Sequence, residues 1–77
     1  MLTEMQDRLE VIDYLIKSKS TGTPKRFAER LDISERRLYE LLNEMRELGA
    51  PISYNRYRST YYYKEKGGFR LGFIKDR

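Results

Sequence analysis

The sequence predicts a mainly α-helical domain that ends in a small β-hairpin, with three helices before the hairpin. Between residues 27 and 49, two helical stripes of apolar residues flank a short turn, which is the pattern of a helix-turn-helix. After Gly49 the pattern changes to two runs of β-prone residues around a polar tip. With 77 residues, the chain is expected to form one domain over residues 1–77.

Residues 2–19 repeat apolar side chains at helical spacing, which predicts the first helix. Its buried stripe would contain Met5, Leu9, Ile12 and Ile16, with Leu2 and Leu15 beside it. Three carboxylates, Asp7, Glu10 and Asp13, fall mostly elsewhere, so we expect a scaffold helix whose acidic surface faces away from phosphate. A polar break would follow, made of Ser18, Ser20, Thr21 and Gly22.

A second, short helix is predicted over residues 24–31. Thr23 is a suitable N-cap, and Pro24 follows it at the first helical position. Lys25 and Arg26 lie at this N-terminus, where free backbone N–H groups favour an anion, so they could clamp a phosphate. An ordinary solvated first turn explains the same two residues equally well.

A third helix is predicted over residues 35–48. Asp32 tolerates the positive φ that the preceding turn requires, Ser34 is a good N-cap, and Gly49 ends the helix. The stripe expected to be buried contains Leu38, Leu41, Leu42, Met45 and Leu48. The opposite face carries Arg36, Glu40, Asn43 and Glu47. The small side chain of Ala28 would let the second and third helices cross closely against Leu38.

Residues 51–64 predict the β-hairpin. Ile52 and Tyr54 stand two positions apart on one side of a polar tip, and Tyr61 and Tyr63 do so on the other, which is the spacing of β-strands. Five of the seven tyrosines lie in this segment, and we favour a role in covering the core over base stacking. For Tyr57, at the tip, both roles stay open.

After the hairpin, Lys66, Gly67 and Gly68 suggest a turn, and alternation of Phe69, Leu71 and Phe73 predicts an extended segment over residues 69–74. This segment would pack on the sheet or on the first helix. Residues 74–77 are expected to fray.

Positive charge is concentrated in two parts of the chain. Residues 1–50 hold nine Lys/Arg and ten Asp/Glu, a net charge of −1, whereas residues 51–77 hold seven and two, a net charge of +5. Within the first part, residues 17–37 hold seven basic and three acidic side chains, a net charge of +4. Such clustering is typical of nucleic-acid binding, although solvated surface charge accounts for it as well.

Several classes of function are disfavoured by composition. The chain has no cysteine and no histidine, so the usual zinc ligands and the usual general base are missing. We therefore expect no metal, no cofactor and no enzymatic activity. The amphipathic N-terminal segment is unlike a signal peptide and no apolar run approaches membrane-spanning length, so a cytoplasmic protein is expected.

Three helices followed by a β-hairpin form the winged helix-turn-helix architecture, in which the hairpin is the wing. Over about residues 5–64 the chain resembles the winged-helix domains of DeoR-like and WYL-type bacterial transcriptional regulators, including small stand-alone versions. The matching pieces are the A-E-R-L-x-I-S turn from Ala28 to Ser34, the Leu38-Tyr39 pair, G-A-P-I-S-Y from Gly49 to Tyr54, and the aromatic strand from Tyr61 to Tyr63.

The resemblance implies sequence-specific binding of double-stranded DNA and transcriptional regulation. The third helix would then be the recognition helix in the major groove, and the basic wing would contact the adjacent minor groove or the backbone. This chain departs from the family at three positions of the helix-turn-helix. Asp32 stands where the family usually has glycine, Arg37 where it often has threonine, and Glu40 where it often has a basic residue. The last departure places a carboxylate where it would repel phosphate.

If the chain binds DNA, each exposed polar residue of these elements has an expected contact. Arg36 would bind guanine, Glu40 cytosine and Asn43 adenine. Backbone phosphates would be met by Lys25, Arg26, Ser34, Arg37 and Tyr39. Arg56 and Arg58 at the wing tip, with Tyr57 between them, would reach the minor groove or its phosphates.

A winged helix used for protein contact is the alternative. The acidic first helix, the glutamates of the third helix and the tyrosine-rich wing also suit a protein interface, with another protein or a second copy as partner. The DNA interpretation depends on the arginines of the recognition helix and wing pointing the same way without being neutralised by neighbouring carboxylates.

Overall fold

The computed structural model describes the backbone of residues 2–69 and 73–76, and their side chains from Arg8 onward. The described elements are α1 (Leu2–Lys17), α2 (Pro24–Arg30), α3 (Glu35–Glu47), β1 (Ile52–Asn55), β2 (Thr60–Tyr63), β3 (Gly67–Phe69) and β4 (Phe73–Lys75). Three helices and an antiparallel β1–β2 hairpin therefore occur in the predicted order. A second antiparallel pair, β3–β4, was not predicted.

Two positions after the last residue of each helix stands a residue with a left-handed backbone. Lys19 (φ 55°), Asp32 (φ 55°) and Gly49 (φ 101°) hold these positions. After α2, for example, the amide of Ile33 donates to the Ala28 carbonyl at 3.0 Å, which is the bond of a Schellman cap. The predicted roles of Asp32 and Gly49 are confirmed, whereas α1 stops before residue 19 because Lys19 turns the chain.

The helix starts also follow the sequence. The Thr23 side chain accepts from the amide of Arg26 with Pro24 at the first helical position, and the Ser34 side chain accepts from the amide of Arg37 at 3.0 Å. Both N-caps satisfy a backbone donor that the first helical turn leaves free. The two helices of the predicted helix-turn-helix are thus set by local hydrogen bonds.

The core lies between the three helices and the β1–β2 hairpin. Its buried members are Ile12, Ile16, Phe27, Ala28, Leu31, Leu38, Leu41, Leu42, Met45, Ala50, Ile52, Tyr61 and Phe69. Leu48 was predicted to belong to it but is 57% exposed, because it is the C-cap of α3 and lies past the last helical turn. The predicted stripe members Leu2 and Met5 lie outside the described side chains.

The hairpin is joined to the linker between α1 and α2 by two buried threonines. In the hairpin register Asn55 faces Thr60 and Ile52 faces Tyr63. The Thr21 amide donates to Thr60 Oγ1 at 3.2 Å, and the Tyr61 amide donates to Thr21 Oγ1 at 2.9 Å. The predicted polar break between the first two helices is present, but Thr21 within it is buried and holds the hairpin against the helices.

The C-terminal region differs from its prediction. Residues 66–68 do not form a turn: Gly67 begins β3, where any side chain would collide with the Ile74 carbonyl and the Phe73 ring. β3 pairs with β4, so a hairpin replaces the single extended segment predicted over residues 69–74, and Ile74 and Lys75 belong to a strand rather than a frayed end. Leu71 lies outside the described residues.

Asp13 anchors this second hairpin to α1, and Phe73 packs on Tyr63 of β2, so the segment meets both the first helix and the sheet, which the sequence left as alternatives. Asp13 Oδ1 accepts from the Phe69 amide and from the Tyr63 hydroxyl, both at 2.8 Å. The prediction that Asp13 belongs to a solvated acidic face is therefore wrong. Among the described residues, no helix is long and apolar enough to cross a membrane.

Candidate nucleic-acid interface

The tip of the β1–β2 hairpin is an exposed basic feature of the described surface. Arg56, Tyr57 and Arg58 are all exposed, and the Tyr57 side chain is fully so, at 100%. The Asn55 carboxamide oxygen accepts from the amides of Tyr57 at 2.9 Å and Arg58 at 3.1 Å. This Asx-type arrangement gives the tip a defined shape before any ligand binds.

The exposed face of α3 brings both of its predicted arginines to one carboxylate. Arg37 Nη1 lies 3.2 Å from Glu40 Oε1, and Arg36 Nε lies 3.9 Å from Glu40 Oε2. The second distance is beyond hydrogen-bonding range, and the Arg36 side chain is 90% exposed. Arg37 is therefore held along the helix, while Arg36 projects into solvent.

Arg46 connects α3 to the hairpin and also contacts Asn43 on its own helix. Arg46 Nη1 donates to the Asn43 side-chain oxygen at 3.1 Å, and Arg46 Nε donates to the Ile52 carbonyl at 3.3 Å. The Asn43 oxygen is thus occupied by a neighbour on its own helix. Arg46 was not predicted as a site residue, yet it sets where β1 begins relative to α3.

Tyr39 lies at the border of α3 and the hairpin and is 45% exposed. It is close enough to Tyr61 to influence its ionisation: burial, followed by the neighbouring Tyr39, raises the pKa of Tyr61 to about 12. Tyr61 also packs on Tyr54 with ring centroids 4.9 Å apart. Tyr54, Tyr61 and Tyr63 pack in or against the core, as predicted for the strand tyrosines, whereas Tyr57 and Tyr62 make none of the described aromatic contacts.

The remaining predicted residues lie at helix starts. Lys25 and Arg26 are exposed in the first turn of α2, and the Arg26 amide is already bonded to Thr23 Oγ1 at 3.3 Å. Ser34 is exposed and caps α3. Each is accessible to a phosphate, with fewer free backbone donors than an uncapped helix would offer.

Sequence reasoning missed three residues and one set of contacts that shape this surface. Asn55 could have been found, because asparagine before a hairpin tip is a recognised turn residue. The Glu40 contacts could also have been predicted, since Glu40 stands three and four residues after the two arginines. Arg46 and Thr21 carried no such local signal, because their partners belong to the hairpin.

The buried tyrosines predict loss of stability at alkaline pH. Burial and then the Asp13 hydrogen bond also raise the pKa of Tyr63 far above its usual range. Unfolded tyrosines ionise near pH 10, so both groups contribute stability that is full below pH 10 and is lost as the pH rises towards 12 and beyond. We expect the guanidinium unfolding midpoint to fall over this range.

The Tyr63→Phe variant is the control, because it keeps the ring and removes the ionisable hydroxyl. Relative to its own midpoint at pH 8, it should lose less stability than the wild type at pH 11. In an alkaline titration followed by absorbance at 295 nm, the variant should show one fewer tyrosine that ionises well above pH 10. Identical alkaline profiles for the two proteins would contradict the assignment.

Within the part of the chain that the structure describes, no three acidic side chains come together as a metal site. Comparison of the sequence with protein-family models and curated proteins, and of the chain with solved structures, found no match.

Proposed function

We propose that this chain is a winged helix-turn-helix domain, like those of DeoR-like and WYL-type bacterial regulators, that binds double-stranded DNA sequence-specifically and regulates transcription. The observation that carries the proposal is the Asn55-braced tip, which presents two arginine side chains in a chain that also contains two capped helices joined by a tight turn. Arg56 and Arg58 are both exposed there. Arginines presented on a rigid projection are suited to phosphates and to the minor groove.

The first half of α3 is the part proposed to enter the major groove. Ser34 and Arg36 lie there and are exposed, whereas Glu44 and Glu47 lie in the second half. Arg36 is proposed to contact guanine. With 90% of its side chain exposed, it can turn towards a base without breaking a hydrogen bond.

Glu40 does not prevent this contact. Exposed ion pairs contribute roughly 0–1 kcal/mol, whereas a bidentate arginine–guanine pair contributes about 1–3 kcal/mol of discrimination. Arg36 therefore gains more from contact with guanine than it loses by leaving Glu40. We propose that Glu40 reads no base and instead pairs with Arg37 in the free protein, in place of the cytosine contact expected from the sequence.

Replacing Glu40 by glutamine tests that assignment. The variant removes one negative charge from the groove-facing surface, so binding to duplexes of any sequence should tighten, by about eightfold at 0.1 M salt if one further phosphate contact forms. Fluorescence anisotropy with two unrelated duplexes provides the measurement. Weaker binding confined to duplexes with a particular cytosine would instead restore the base-reading role.

The proposed function is tested by selecting bound duplexes from a random pool and titrating the selected sequence at two salt concentrations. Specific binding should enrich a common sequence, and its affinity should fall steeply with salt. Absence of enrichment, together with no retention on duplex DNA at low salt, would overturn the proposal. Binding of equal strength to all sequences would remove specificity and leave DNA binding.

A protein-contact module is the second candidate, and the charge of α3 favours it. This helix carries four glutamates and three arginines, a net charge of −1, and ends beside the exposed Leu48. A basic partner with an apolar pocket would suit that end of the helix. The candidate gains support if duplex DNA is not retained and the chain instead self-associates in equilibrium sedimentation.

A further inference from the structure

Tyr57 is unlike the other tyrosines that pack in the two hairpins. Tyr54 and Tyr61 stack edge to face, and Tyr63 packs on Phe73 with ring centroids 4.9 Å apart. The Tyr57 ring is instead fully exposed at the outermost turn. Its ring therefore contributes nothing to the described core, and a role in folding does not explain an aromatic side chain at this position.

The backbone beneath Tyr57 is held in one conformation. Its amide and that of Arg58 are both bonded to the Asn55 side chain, and Ser59 follows with φ 51° before β2 begins. Because the tip is braced, binding a ligand there requires little further ordering of the backbone. The ring and its two flanking arginines are thus presented as one unit.

This unit combines one flat aromatic surface with two cations. A nucleobase offers a flat face, and the phosphates on either side of it offer two negative charges. Aromatic stacking on a base is sequence-tolerant and strengthens binding by roughly five- to 150-fold. In a continuous duplex, however, each base is covered on both faces by its neighbours. The free energy needed to unstack two neighbouring bases opposes the gain from stacking on the tyrosine.

We infer that the hairpin tip binds an unstacked base within duplex DNA, with Tyr57 stacked on the base and Arg56 and Arg58 on the flanking phosphates. The inference rests on the proposed DNA binding and deepens it. It predicts a preference for duplexes in which a base is already unpaired, because no unstacking then opposes the contact.

Two duplexes of the same sequence test the inference, one fully paired and one with a single extra 2-aminopurine nucleotide at its centre. Affinity is measured by anisotropy of an end label, and stacking by the 2-aminopurine fluorescence. The wild type should bind the bulged duplex at least fivefold more tightly and should change the fluorescence of the extra base. Tyr57→Ala should abolish both effects, whereas Tyr57→Phe should retain them.

Tyr14 offers a matched control, because it is another tyrosine with a largely exposed side chain, at 68%, but lies on α1. Tyr14→Ala should leave the preference unchanged. Equal affinity of the wild type for both duplexes, or an unchanged preference in Tyr57→Ala, overturns the inference while leaving DNA binding intact. If neither duplex is bound at low salt, the proposed function fails together with the inference.

Discussion

Replacing Arg56 and Arg58 together by alanine is expected to weaken binding to every duplex, without regard to sequence. Each phosphate contact that releases a counterion contributes about eightfold at 0.1 M salt, so loss of one or two contacts should weaken binding by roughly 8- to 60-fold. The slope of log affinity against log salt should become shallower by about one to two units. Titrations between roughly 50 and 200 mM salt measure both quantities, because the affinity of a phosphate-binding protein falls steeply over this range.

The matched control removes the same charge from a helix proposed to face away from DNA. Arg8 and Lys17 are exposed on α1, and their joint replacement by alanine also lowers the net charge by two. That variant should change the salt slope much less than the wing variant does. Equal slopes for the wild type and the wing variant would exclude the tip from the interface, whatever the affinity of the intact protein.

Replacing Arg36 by alanine is expected to act on specificity instead. Loss of a bidentate guanine contact weakens binding to a selected sequence by about 1–3 kcal/mol and relaxes the preference at one base pair. Binding to unrelated duplexes should change far less, because the salt-dependent contacts of Arg37 and the wing remain. Affinities for the selected duplex and for its three single-base variants at the relaxed position give the measurement.

Arg46→Ala is an informative contrast to Arg36→Ala. It removes a guanidinium of the same helix that is bonded within the protein, to the Ile52 carbonyl and the Asn43 side chain. We expect Arg46→Ala to lower the thermal stability of the protein and to weaken its binding to all duplexes to the same extent. If Arg36→Ala leaves the selected duplex bound as tightly as before, the base contact belongs to another residue.

The second and third helices and the turn between them could be predicted because their determinants are local. Thr23 and Ser34 cap helices within three residues of the amides they accept from, and Asp32 adopts the positive φ expected at its turn. Leu38 and its neighbours repeat at helical spacing. Leu48 was placed wrongly by the same rule, since periodicity alone does not reveal that the helix ends before it.

The candidate site was predicted only in outline. The residues of the tip and of α3 are exposed as expected, but the ion pair between Arg37 and Glu40 changes what two of them can do. This contact follows helical spacing and was available from the sequence. The bracing of α3 against β1 by Arg46 was not, because its acceptor is a backbone carbonyl in a different element.

The order and type of the three helices and the first hairpin, the caps of α2 and α3, and the basic tip were specified by neighbouring residues, since those features depend on φ preferences, side-chain spacing and hydrogen bonds only a few positions apart. Folding in three dimensions decided how the elements are joined. Thr21 meets Tyr61 forty residues later, and Asp13 meets Phe69 fifty-six residues later. Such contacts have no periodic signature along the chain, because each is created only when packing of the apolar core brings two distant polar groups together out of water.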